Sequence, residues 1–235
     1  FHSDHIAEIY EVNLGSWVAG RPAPLMVYGP TGVGEVTSAV NAGYRLDRIY
    51  RTGHHGEALL PPALGVLQHK TIAPGVILED GDLKITAYAT EHPPIEPAVG
   101  YRFDYRGRSV VISGDGNVNG DTREIVDDLD LLLHDALSVP TVTALSEALG
   151  AAERPRQSKI VADVLDYHAS TDALIELGEQ SNVDMVAFYH LVPVPLNDVL
   201  EEVFKRGMPD NFLLAKDLMW FDLPIDSDEI IVNGP

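Results

Sequence analysis

Three apolar runs rich in β-branched and aromatic residues each end on a group that can ligate a metal. His92 follows residues 83–90, Asp115 follows 109–113 and His190 follows 185–189. Such runs read as buried strands, and strand ends along one edge of a sheet converge in space. The chain is therefore expected to build a sheet whose rim gathers imidazoles and a carboxylate. Further strand-like runs occupy 24–28, 76–78, 98–105, 131–133 and 213–214. Tyr105-Arg106-Gly107-Arg108 between two of the runs has the composition of a hairpin turn, so part of the sheet is antiparallel.

Helices are expected over 4–12, 34–44, 120–127, 158–165, 170–181 and 197–206. In the last, Asn197 is a suitable N-cap and Val199, Leu200, Val203 and Phe204 share one face. Strands and helices alternate with short polar turns and no internal repeat, which implies one α/β domain over 1–235. A hydrophobic content of 45% supports a substantial core. No apolar run approaches the roughly 18–20 residues of a membrane span. The formal charge of -20 repels polyanions over most of the surface and disfavours nucleic acid as substrate. Cysteine is absent, so a bound transition metal must be held by imidazole and carboxylate. Absence of cysteine suits cytoplasm and periplasm alike and leaves the compartment open.

His2, Asp4 and His5 lie within four residues, ahead of a helix that continues through Ile6-Ala7-Glu8-Ile9. Taken alone, that spacing is also that of an N-cap aspartate between surface histidines. With His92, Asp115 and His190, six groups fit one scheme. Nitrogen and oxygen donors of this kind suit zinc, manganese or iron, and a carboxylate can bridge two ions.

These residues resemble the metallo-β-lactamase-fold hydrolases, in the branch that contains ribonuclease Z and a group of arylsulfatases. Phe1-His2-Ser3-Asp4-His5-Ile6-Ala7 matches the branch's H-x-H-x-D-H signature except for its leading histidine. Tyr28-Gly29-Pro30-Thr31-Gly32 resembles its Y-G-P-x-G turn, and Thr90-Glu91-His92 leading to Gly100-Tyr101-Arg102 its third metal motif. Val110-Val111-Ile112-Ser113-Gly114-Asp115 resembles the strand that delivers a bridging aspartate. Leu131-Leu132-Leu133-His134-Asp135-Ala136 resembles the next strand, His168-Ala169-Ser170-Thr171 the helix start with a catalytic histidine, and Phe188-Tyr189-His190 the last ligand.

The resemblance implies a four-layer αββα sandwich. It also implies two divalent metal ions: His2 and His92 on the first, Asp4, His5 and His190 on the second, and Asp115 between them. A hydroxide bridging the ions would attack the substrate, Asp4 would orient it or take its proton, and His168 would protonate the leaving group. Position 135 is usually glutamate in ribonuclease Z relatives. Asp135 is one methylene shorter, which implies a looser or different contact with His168. A helix-capping surface imidazole is the alternative for His168. His134 reads as structural rather than as a ligand, and His54, His55 and His69 match no motif.

The family's signature has a histidine immediately before the position of Phe1, and its fold has an N-terminal sheet half, so the chain is expected to lack an N-terminal piece. Between His92 and His190 the only candidate insertion is 139–156, whose basic residues are Arg154 and Arg156, so no long arm for gripping transfer RNA is expected. With the acidic surface, this favours a small phosphodiester or sulfate ester as substrate, in a soluble protein that could pair as a homodimer. Transfer-RNA 3′ processing and a non-catalytic metal-binding role are the alternatives.

Overall fold

The strand-like runs pair as their composition requires. Described over residues 1–234, the computed structural model falls into two compact units, one of residues 1–73 and one starting at residue 74.

The first unit holds α1 (Ser3–Ile6), α2 (Ile9–Val18), β1 (Leu25–Gly29), α3 (Val33–Gly43), α4 (Arg45–His55) and β2 (Leu67–Thr71). A single helix is expected from the sequence over 4–12. Instead, the Ala7 amide closes α1 onto the Ser3 carbonyl, and a fresh helix starts after Glu8 and runs on to Val18. Strands β1 and β2 are parallel, and α3 and α4 make the crossover between them. Asn41 ties that crossover to β2, its amide donating to the Leu67 carbonyl and its oxygen accepting from the Leu67 amide, both at 2.9 Å. Trp17 is buried, donates to the Pro61 carbonyl at 3.0 Å and lies against Gly65. Tyr10 is buried, stacks on Tyr44 and donates to the Asp47 carboxylate. His69 hydrogen-bonds Thr37 at 3.1 Å, which makes it part of the packing of α3 on β2.

The second unit is built on a seven-stranded mixed sheet. Its strands, in spatial order, are β3 (Gly75–Asp80), β4 (Leu83–His92), β5 (Ile95–Tyr105), β6 (Arg108–Ile112), β7 (Leu129–Leu137), β8 (Val183–Val192) and β9 (Phe212–Leu214). The first four are antiparallel neighbours, and β6, β7, β8 and β9 run parallel. The expected hairpin joins β5 to β6, with Arg106 and Gly107 both at positive φ as a tight hairpin turn requires.

The intervening helices are α5 (Gly120–Ile125), α6 (Val139–Ala151), α7 (Pro155–Asp163), α8 (Thr171–Gln180) and α9 (Asp198–Phe204), and a small hairpin of β10 (Trp220–Asp222) and β11 (Ile231–Asn233) follows. Parallel strands need crossovers, and helices lie in the chain between β6, β7, β8 and β9. β7, paired on both edges, is almost wholly buried and reads as a run of leucines. Val111, Leu132, Leu174, Leu177, Val186 and Phe188 form the centre of the core. The candidate insertion is a helical hairpin of α6 and α7, held by reciprocal bonds in which Ser146 and Ser158 each donate to the other's carbonyl.

Candidate metal and phosphodiester site

Because β4 and β6 are each antiparallel to β5, they are parallel to one another and to β7 and β8. Four strand C-termini therefore share one rim. His92 closes β4, Asp115 follows β6, Asp135 lies near the end of β7, and His190 lies near the end of β8.

Local backbone features aim these side chains. In the β7–β8 ladder Asp135 faces Tyr189 and Ala136 faces Leu191, so His190 is an extra residue. It takes a positive φ of 44°. A bulge of this kind swings a side chain out of the strand's alternation. On β5, Gly100 leaves room for the segment leading to Asp115: a Cβ there would lie 2.5 Å from the Tyr88 ring and 2.6 Å from the Ser113 carbonyl oxygen.

Ligand atoms of His92, Asp115 and His168 all lie within 4.8 Å of one another, and all three residues are buried. His92 Nε2 is 3.8 Å from Asp115 Oδ2, and His190 Nδ1 is 3.4 Å from Asp115 Oδ1. Asp115 thus offers one oxygen toward each histidine. Two imidazoles around a buried carboxylate suit a divalent cation, since a buried carboxylate is stable only when it is paired or coordinates a metal.

Behind this group lies a second buried carboxylate. Asp135, with no exposed surface, accepts a hydrogen bond from His168 Nδ1 at 2.9 Å on Oδ2 and one from the Gly116 amide at 3.3 Å on Oδ1. Burial pushes the Asp135 carboxyl up, but hydrogen bonds from His134 and His168 outweigh it and hold the group below the ordinary aspartate range. The shorter side chain reaches His168 without loss of distance. Because the carboxylate can only accept, His168 Nδ1 carries a proton and Nε2 is the ring atom left for a substrate.

Sequence reasoning missed Tyr167. Its ring stacks on His92 at 4.8 Å between centroids and lies tilted against His168 at 4.9 Å, so it walls both. A lone tyrosine carries no signal of this in a sequence. His2, Asp4 and His5 belong to the first unit, where His2 precedes α1 and Asp4 and His5 form part of it, with His5 Nε2 3.5 Å from Asp4 Oδ2. His54 and His55 are exposed at the end of α4, ring against ring at 4.7 Å.

The chain is 33% identical over 195 residues to a Mycobacterium tuberculosis protein provisionally named ribonuclease Z, a match covering 82% of this chain and 81% of that one. It belongs to the ribonuclease Z family. Ribonuclease Z of Mycobacterium bovis is likewise 33% identical over 82% of this chain, which spans 65% of that relative's length. Among solved structures, the metallo-β-lactamase-fold protein YhfI of Bacillus subtilis superposes with a TM-score of 0.56 at 17% identity, covering 92% of this chain and 72% of that one. The fold is thus the metallo-β-lactamase fold. No family model matches the chain. No helix among the described residues is long and apolar enough to cross a membrane.

Proposed function

We propose that this chain carries the catalytic centre of a metal-dependent phosphodiester hydrolase of ribonuclease Z type, with RNA as its substrate class. The observation that carries the proposal is the buried Asp135–His168 pair set beside His92 and Asp115. A phosphodiester hydrolase needs donors for divalent metal and, next to them, a proton source for a poor alkoxide leaving group.

In this reading His92, Asp115 and His190 hold two ions together with His2, Asp4 and His5, the last three assigned by their match to the family signature. Bound ions supply Lewis acidity and charge neutralisation at the phosphate. To act as the acid His168 must hold a second proton, on Nε2; the imidazolium gives that proton to the departing oxygen while Asp135, accepting from Nδ1–H, stabilises the charged ring and keeps it oriented. Asp4 orients the attacking water. Tyr167 fixes the facing rings of His92 and His168 and keeps bulk water off one side of them.

The ribonuclease Z relatives favour phosphodiesters over sulfate esters. They also outweigh the argument from net charge, because a charge of -20 describes the whole surface and binding depends on the local field. Precursor transfer RNA, bis-p-nitrophenyl phosphate and p-nitrophenyl sulfate, offered side by side to metal-loaded protein, test the proposal. Cleavage of the RNA and the phosphodiester is expected. Turnover of the sulfate alone would overturn it.

A further inference from the structure

His134 has no part in the chemistry above, yet it has no exposed surface and stands beside the most deeply buried carboxylate at the rim. Its Nδ1 is 2.9 Å from the Asp135 backbone oxygen and 2.9 Å from Asp135 Oδ1. Both atoms can only accept, so Nδ1 bears a proton shared between the main chain and the side chain of a single residue. His134 Nε2 is buried and meets no hydrogen-bond partner among the described residues. A second proton there would leave a buried N–H unsatisfied, at the cost such groups always carry.

From this arrangement we infer that His134 is a positioning residue, a neutral Nδ1–H donor that locks the Asp135 carboxylate against its own backbone so that Oδ2 stays on His168. The inference deepens the proposed hydrolase reading and rests on it only for the effect on turnover. An aspartate has two side-chain torsions, and one hydrogen bond on Oδ2 does not fix both. The Gly116 amide, at 3.3 Å, is a long contact. The imidazole of His134 supplies the missing constraint. It adds no positive charge, which leaves the full negative charge of Asp135 to hold the proton on His168 Nδ1. The shortened acid makes this support matter more, because a carboxylate on a single methylene has one torsional setting that meets His168, His134 and Gly116 together.

Two substitutions test the assignment. His134→Leu keeps bulk and removes the donor, whereas His134→Asn returns an N–H close to the place of Nδ1. The direct readout is the tautomer of the His168 ring at fixed pH, followed by long-range proton–nitrogen NMR on protein labelled at histidine, with thermal melts to confirm folding. In wild type and His134→Asn the Nδ1–H form is expected to dominate; in His134→Leu the Nε2–H form should appear alongside it. On a phosphodiester with an alkoxide leaving group, His134→Leu is expected to lower kcat by about 10- to 100-fold, the usual range for a residue that orients a functional group. KM should change less than about threefold, and Asn should restore most of the rate. A folded His134→Leu protein with an unchanged His168 tautomer would overturn the inference, and so would an Asn variant that behaves like Leu. If no phosphodiester is cleaved even by wild type, the hydrolase reading fails while the tautomer still decides the role of His134.

Discussion

Replacing Asp135 with Asn probes the acid step with almost no change in volume. At the 2.9 Å separation from His168, an effective dielectric of 20 gives a Coulomb attraction of about 6 kcal/mol for the charged pair. Desolvation of a buried carboxylate consumes most of it, and hydrogen bonds to charged groups contribute about 1.5–3 kcal/mol net. At about 1.4 kcal/mol per decade, that is roughly 10- to 150-fold in rate. The loss should depend on the leaving group. Nitrophenolate departs without a proton, so hydrolysis of bis-p-nitrophenyl phosphate should fall by less than about threefold. An alkyl or ribonucleotide diester, whose alkoxide must be protonated, should show the whole effect. Single-turnover rates on both substrates measure this directly. An equal fall on the two, or none on either, would refute the placement of Asp135 and His168 in leaving-group protonation.

Other expectations follow from the same geometry. Gly100→Ala would drive a Cβ to 2.6 Å from the Ser113 backbone oxygen, which cannot rotate away, so a stability loss of about 1–3 kcal/mol is expected by urea denaturation together with weakened metal retention. Burial, followed by its bond to Asp47, pushes the Tyr10 phenol up to about 12. Its folded value lies above its unfolded one, so the stabilisation is complete below about pH 10 and is lost as pH rises through 12. Tyr10→Phe should therefore cost about 1.5–3 kcal/mol at pH 8, and the gap from wild type should close on approaching pH 12. His92→Ala should lower bound metal per chain by elemental analysis while the fold, followed by circular dichroism, persists, because the donors stand on strand ends outside the core.

How much of this was legible in the sequence depended on where each constraint resides. The rim was legible because β4, β6 and β8 are strong apolar runs and the residue after or at the end of each is chemically distinct. The hairpin at Arg106-Gly107 was legible because a short polar turn with Gly107, which accepts a positive φ, stands between two apolar runs, whereas the positive φ of Arg106 is not written in its residue type. By contrast, α4 lies over Arg45–His55, a polar stretch with a glycine inside it and Leu46, Ile49 and Tyr50 exposed, so no buried periodic face announced it. β2 buries only Leu67 among its five residues, and its pairing with β1 is a tertiary fact. The bulge at His190 and the contact of Asp135 with His168 across 33 positions depend on register, which a single sequence does not encode locally. For the ligands and the acid, the family motifs supplied what periodicity could not.

The most direct measurement of the central claim is hydrolysis of bis-p-nitrophenyl phosphate by protein stripped with a chelator, verified metal-free, and then titrated with a divalent metal. Activity should vanish on stripping and return with added metal, levelling off near two ions per chain. Undiminished hydrolysis by verified metal-free protein would contradict the account.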